Sequence, residues 1–590
     1  MDSKDARVLR VANCSGFYGD RLSAAREMVE GGPIDVLTGD WLAELTMLIL
    51  AKSRKGTSGG YARTFLTQME QVLGQCLERG IKVVSNAGGL NPAGLAEDLQ
   101  LVADRLGLRP SIAYVEGDDL VGRLDDMRAD GIDFANFDTG EGFGERKPMT
   151  ANAYLGGWGI AEALTRGADV VVTGRVTDAA VVVGPAAWHY RWKRDDYNQL
   201  AGAVVAGHII ECGCQTTGGN YSFFQEIPDL FHPGFPIAEI RADGSFVITK
   251  HDGTGGLVSV GTVTAQLLYE IQSTRYLNPD VTTHFDTICL DQVGVDRVLV
   301  HGITGEPPPA TTKVCINLDG GYRNSASFCL TCLDIEAKAE LVERTFWGHV
   351  PGGRESFAST STKLVRTDKP NPATNEEAVA VLTFTVKDPD ERKVGRRFAN
   401  VAVEMALASY PGMFGTGAPG AGHGFGVYWP ALVPNELVPS IVHVGGVQVE
   451  VPASTGQSLS ELPEPVPAST SRSPDRANTT LVPLGALVGA RSGDKGGNAN
   501  IGVWTRNDEA FSWLHGFLTV EQLQTLLPET KSLRIRRYVL ANLNALNFVI
   551  EGLLEEGVAA STRSDAQAKG LGEYLRAKHV EVPTRLLPQP

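Results

Sequence analysis

The chain has 590 residues, 43% of them apolar and 21% charged, with a formal net charge of −16. It is too long for one core and suggests about three to four domains. The acid excess argues against nonspecific nucleic-acid binding and against docking on an anionic membrane, but local N–H groups or single basic residues can still hold anionic small ligands.

The eight cysteines are too few and too scattered for a disulfide scaffold. The start "MDSKDARVLRVANCSGF" has no signal-type apolar core, and no run reaches the ~18 apolar residues of a membrane span. A soluble, cytoplasmic protein is expected. The pair Cys329 and Cys332 in "FCLTCLDI" reads as a buried strand with small apolar thiols, not as a metal or redox motif.

In chain order, "RVLRVANCSG" predicts a strand and "DRLSAAREMVEGG" a glycine-stopped helix. "IDVLTGD" is the next strand, followed by the apolar helix "WLAELTMLILAKSRK". "YARTFLTQMEQVLGQCLERG" is an amphipathic helix, "IKVVSNAGG" a strand, and "NPAGLAEDLQLVADRLG" a helix with an Asn-Pro start. Strand, glycine-rich loop and helix in repeated succession predict a Rossmann-like α/β region with a mainly parallel sheet. The loop residues Asn13, Ser15, Asp20, Thr38, Gly39, Asp40, Ser85, Asn86, Gly88 and Gly89 then gather outside the carboxyl ends of the strands, where open α/β folds bind ligands.

Further on, "ADVVVTGRVTDAAVVVGPAAW" predicts a buried strand, a loop with Thr173, Gly174, Arg175, Thr177 and Asp178, and an apolar helix. From about 280 to 453 the β-like segments suggest a second α+β subdomain within an α/β region spanning 1–453. The stretch 454–480 is rich in Ser and Pro and reads as a linker. The remaining 481–590 predicts a small α+β domain, with two strands around a loop in "TLVPLGALVGARSGDKGGNANIGVWT".

Several motifs carry chemistry. Arg175 can grip a carboxylate or phosphate bidentately and Asp178 can act as a base, or the two can simply form a helix entrance. Asp40 and Glu44, if helical, share a face and can move protons or hold Mg²⁺. The turn around Asn86, Gly88 and Gly89 offers N–H groups to an oxyanion. "ECGCQTTGGNYS" places Glu211, Cys212 and Cys214 before Thr217, Gly218, Gly219 and Asn220. A nucleophilic Cys212 would use His208, four residues earlier, as its base. His251, Asp252 and His423 sit in glycine-rich turns. The G-x-G-x-x-G, P-loop and G-x-S-x-G signatures are absent.

Together "VANCSGFYGDR", "LTGDWLAELTM", "VSNAGGLNP", "TGRVTDAAVVVGP", "ECGCQTTGGNY" and "RSGDKGGNANIGV" resemble the acyclic terpene utilisation family called AtuA, in order and over most of the chain. The resemblance implies a large α/β region followed by a small ferredoxin-like domain bearing the RSGDKGGNAN loop. It also implies a place in the breakdown of branched, terpenoid acids through acyl-CoA thioesters.

The expected function is a redox-independent lyase or hydratase acting on an acyl-CoA or a free branched carboxylic acid. Its catalytic candidates are Asp40, Arg175, Asp178, Asp494 and Lys495. Asn13, Ser15, Asn86, Gly88, Gly89, Thr173, Gly174, Thr217, Gly218, Gly219, Asn220, Arg491, Ser492 and Asn498 are the candidates for holding substrate. In this scheme Asp40 or Asp178 moves the proton and Arg175 or Lys495 grips the anion. No cofactor is required and no metal ligands are assigned; CoA can enter as part of the substrate, and a divalent metal stays open. The alternatives are a hydrolase or isomerase using Cys212 or a metal, and a non-catalytic scaffold subunit. A small-molecule substrate and a homo-oligomer are expected, without nucleic-acid or membrane partners.

Overall fold

The computed structural model describes residues 7–54, 59–417, 419–457 and 478–587. The stretch expected as a linker falls, over 458–477, outside the described residues. Two units divide the chain: one holds residues 1–317, 428–558 and 567–590, the other 318–427 and 559–566. No helix among the described residues is long and apolar enough to cross a membrane.

The first unit is built on an eleven-stranded sheet. Its centre is parallel, in the order Leu9–Asn13, Val36–Gly39, Lys82–Ser85, Val170–Thr173, Ile112–Glu116. Val36–Gly39 and Val170–Thr173 are wholly buried, as suits inner strands of a sheet covered on both faces, while Ile112–Glu116 is buried only at alternate residues. Antiparallel strands extend both edges: Pro236–Ile240 beyond Leu9–Asn13, and Ser440–Val444 beyond Ile112–Glu116. The region 280–453 thus contributes Cys289–Gly294, Arg297–His301, Ser440–Val444 and Val447–Val451 to the large sheet.

Helices Ala24–Gly31, Arg63–Arg79 and Pro92–Arg105 bring Met28, Phe65, Met69, Val72, Leu95 and Leu99 into one core with the strand residues Leu37 and Val83. The last of these helices starts as its sequence predicts: the Asn91 side chain accepts the Gly94 N–H, and Pro92 fills a position that needs no donor. Trp41 stands edge-on to Phe65 with ring centroids 5.4 Å apart. That contact pins the chain just past Gly39 and so fixes Asp40. Helix Tyr197–Ile210 is buried from Leu200 to its end, which explains why it shows no amphipathic stripe.

The carboxyl-terminal domain belongs to the same unit. It is a four-stranded antiparallel sheet ordered Gly489–Lys495, Asn498–Trp504, Ala545–Ile550, Ile535–Leu540. Leu514, Leu523, Leu546, Phe548 and Leu575 share its core. The RSGDKGGNAN stretch, expected as a loop between strands, is itself two strands, paired from Gly489↔Trp504 to Lys495↔Asn498. The turn is confined to Gly496 and Gly497, and Gly496 takes φ +66°, the left-handed region that glycine tolerates.

In the second unit, Ser359–Arg366, Val379–Asp388 and the latter half of Thr311–Thr331 pair antiparallel. Phe328, Phe346, Phe384 and Phe398 join this sheet to helices Ile335–His349 and Arg396–Glu404. Cys329 is buried in its strand as predicted. Cys332 is exposed beyond the strand end, with φ +57°.

Candidate functional site

Three carboxylates meet where the strands of the first unit end. Asp40 follows Val36–Gly39, Asp178 lies in the loop after Val170–Thr173, and Glu211 directly follows helix Tyr197–Ile210. One oxygen from each lies within 4.8 Å of the others. Asp40 and Glu211 are each 6% exposed, while the Asp178 side chain keeps 27%, so the trio opens to solvent on its side.

Asp40 is placed by its neighbours. Its N–H donates to the Ser15 carbonyl at 2.9 Å, and its Oδ1 accepts the Leu42 N–H at 2.9 Å and Nδ2 of Asn86. Asn86 in turn accepts the Trp41 N–H at 2.8 Å. The helix starts only at Glu44, so Asp40 does not share a helical face with it as the spacing suggests. Asp40 sits instead in the extended approach, where Trp41 packing outweighs helical propensity.

Arg175 lies between these acids and is 2% exposed. Its Nη1 donates to the Leu42 carbonyl at 2.8 Å, its Nη2 pairs with Asp178 Oδ1 at 2.9 Å, and its plane lies 4.3 Å over the Tyr154 ring. The guanidinium thus holds Leu42, Asp178 and Tyr154 together at the edge of the site. Glu44 Oε1 accepts the Tyr154 hydroxyl at 2.7 Å and Lys313 Nζ at 3.1 Å. Against the effect of burial, Lys313 and Arg175 hold the Glu44 carboxyl far below the usual range.

For Asp40 and Glu211 the opposing charges, Arg175 and, at Glu211, Lys495, are outweighed. Burial, then the charge of Asp178, pushes the carboxyls of Asp40 and Glu211 well above the ordinary value. Burial and Glu211 also raise the Cys212 thiol well above its usual range, the opposite of what a thiolate nucleophile needs. His208, its expected base, packs against the rings of Tyr276 and Phe285, which also touch each other. Burial and Lys495 lower it to about 4.

The carboxyl-terminal domain docks on residues 268–270. Asn500 donates to the Leu268 carbonyl at 2.9 Å and to Asn547 Oδ1 at 2.7 Å, and accepts the Glu270 N–H at 2.8 Å. Two glycines allow this approach. A Cβ on Gly502 would stand 2.4 Å from Leu268 Cβ, and one on Gly493 would stand 2.6 Å from the Tyr269 ring. Arg491 reaches Gln215 Oε1 and covers Tyr269 at 4.2 Å. Ser492 accepts the Gly572 N–H at 2.8 Å, and Asn498 donates to Asp138 Oδ1 at 3.1 Å.

Asp494 and Lys495 follow from this docking. Lys569 pairs with Glu270 at 3.1 Å and with Asp494 at 3.5 Å. Burial and Glu270 raise the Asp494 carboxyl to about 7, with Lys569 opposing. Lys495 Nζ lies 6.0 Å from the Tyr276 ring centroid, and its charge acts on Glu211, Glu44 and His208. It makes no ion pair among the described residues.

Other candidates serve the scaffold. Asn13 Nδ2 donates to the carbonyls of Ser15 and Glu211 at 3.0 and 3.3 Å, and Thr173 Oγ1 to the Gly174 carbonyl at 2.9 Å. Thr38 Oγ1 donates to the Ala12 carbonyl, and Asp20 caps the Gly16 N–H. Gly88 and Gly174 make close turns, against the Thr173 carbonyl and against Asp118. Gly89 turns with φ +53°. Thr217, Gly218, Gly219 and Asn220 form the turn after Cys214. There Thr217 donates to the Gly234 carbonyl at 2.7 Å and Gly218 abuts Ile227. His251 bonds the Met28 carbonyl at 2.9 Å, and His423 opens a strand, His423–Pro434.

Reading the sequence missed Glu270, Lys313 and Lys569. Glu270 and Lys313 stand as isolated charges in apolar runs, "LLYEIQ" and "TTKVCINL", and a lone charge in a buried run is a signal in its own right.

Comparison with known families gives two matches. The acyclic terpene utilisation family protein AtuA matches residues 9–444, and the AtuA ferredoxin-like domain matches residues 482–581. No curated protein and no solved structure matches the chain.

Proposed function

The chain belongs to the AtuA family of acyclic terpene utilisation, and from that premise we propose that it is a redox-independent lyase or hydratase acting on a branched or terpenoid carboxylic acid or its CoA thioester. The observation that supports this reading is the position of Lys495, on the carboxyl-terminal hairpin, 6.0 Å from the Tyr276 ring and with its charge acting on Glu211 and Glu44, while Asp494 beside it in the strand faces Lys569.

Adding or removing water, or a carbon fragment, beside a carbonyl needs a proton carrier and a positive group that stabilises the charge growing on the carbonyl oxygen. Asp494, raised to about 7 by burial and Glu270, is matched to proton transfer near neutral pH. Among the described residues Lys495 makes no ion pair, whereas Arg175 already donates to the Leu42 carbonyl and pairs with Asp178. Lys495 therefore takes the anionic oxygen, and Asp494 takes the proton from the neighbouring carbon.

The test is a thermal-stability screen with free branched acids and with their CoA esters. A ligand that binds only the folded state raises the melting temperature. A shift with one of the two classes supports the reading and names the substrate class. No shift with either contradicts it.

A further inference from the structure

We propose that Asp40, Asp178 and Glu211 form a binding site for a hard divalent cation, Mg²⁺ or Mn²⁺. The claim of binding stands on geometry; the cation's part in turnover rests on the function proposed above.

Three carboxylates alone are not a metal site. Here the fold drives them together: two descend from parallel strands and one from a helix end, and one oxygen of each lies within 4.8 Å of the others. Cis ligands on an octahedral ion with bonds of ~2.1 Å stand about 3 Å apart, so closure needs movements of roughly 1 Å, within the reach of side-chain rotation. The donors are all oxygen, which selects a hard cation over zinc or copper.

Glu211 supplies the independent observation. It is 6% exposed, and its Oε2 is buried without a hydrogen-bond partner. A carboxylate oxygen stranded in this way is costly and uncommon, and an unfilled ion position is one of its standard explanations. Its backbone carbonyl is tied to Asn13 Nδ2, so the residue is held beside the other two acids. Asp40 is held in the same manner, its Oδ1 bound by Leu42 N–H and Asn86.

Charge points the same way. Lys313 is paired with Glu44, Lys569 with Glu270, and Arg175 is shared among Asp178, Glu44 and Asp40. Even with Lys495 acting on Glu211, the three carboxylates outnumber the cations that face them. An anionic substrate entering beside them would meet net repulsion. A divalent ion offsets that excess of negative charge and offers a Lewis acid for a carboxylate or thioester oxygen.

The test uses the full-length protein, stripped with chelator and titrated with Mn²⁺ in the absence of any organic substrate. The loss of the free-ion paramagnetic resonance signal reports binding. One Mn²⁺ bound per chain and displaced by Mg²⁺ is expected, with the affinity weakened at least about tenfold in Glu211→Gln and in Asp178→Asn. Circular dichroism verifies that each variant is folded. Should Glu211→Gln fail to fold, Asp178→Asn, on the solvent side of the trio, carries the comparison. No binding by the stripped wild type, or equal binding by the folded variants, overturns the site. Because no substrate is present, the result is independent of the ligand screen. Bound Mn²⁺ with no response to any acid would leave the site standing and remove the function, and the converse pair of results would do the opposite.

Discussion

Asn500 donates from its side-chain amide to the Leu268 carbonyl at 2.9 Å and is fully buried. This bond, with the Glu270 N–H donated back to Asn500 at 2.8 Å, seats the carboxyl-terminal sheet on residues 268–270. Asn500→Ala strands at least two buried backbone groups and is expected to cost about 2–4 kcal/mol. The check is a fall in melting temperature together with faster proteolysis. A variant melting like wild type would show that the contact does not secure the domain.

Stability should depend on pH through Asp118. It is 2% exposed, accepts Asn152 Nδ2 at 2.7 Å and the Arg175 N–H at 2.8 Å, and burial still raises it to about 7. Its folded value lies above the unfolded one, near 4, so the unfolded chain releases this proton first. The contribution is complete below about pH 4 and is lost as pH rises to about 7, amounting to about 3–4 kcal/mol over the window. Asp118→Asn should therefore gain in melting temperature relative to wild type between pH 5 and pH 7.5. A pH-independent difference between the two proteins would contradict this.

Asp494 is assigned the proton transfer, so activity should rise as pH passes about 7, where its carboxyl ionises. In Asp494→Asn that limb of the kcat/KM profile should vanish, with a rate loss of about 10²–10⁴-fold. An unchanged limb would assign the proton to another group.

Cys212 separates this chemistry from the thiol alternative. Burial and Glu211 keep its proton in place, so Cys212→Ser should keep activity within about twofold. A loss of several orders of magnitude would favour a covalent hydrolase.

Much of this site was legible in the sequence because period and turn chemistry are local. The strand–loop–helix rhythm placed Asp40 and Asn86 on one edge of a parallel sheet and Arg175 and Asp178 in the loop after a later buried strand, and the fold brings that loop to the same edge. What local pattern cannot convey is partnership. Arg175 has the look of an anion grip until Leu42, Tyr154 and Asp178 are seen around it. The glycine-rich Thr217–Asn220 turn resembles an oxyanion cradle, yet Thr217 is drawn to the Gly234 carbonyl. Lys569 and Glu270 are 299 positions apart and meet only through the docked sheet.

The central claim is that the hairpin of the carboxyl-terminal domain supplies a working residue to a site built by the parallel sheet. Lys495→Ala tests it most directly, measured as turnover and melting temperature on the same preparation. The account predicts turnover lost by about 10²-fold or more with the melting temperature unchanged. Full turnover, or a fall in melting temperature that accounts for the lost activity, would make the hairpin structural and contradict it.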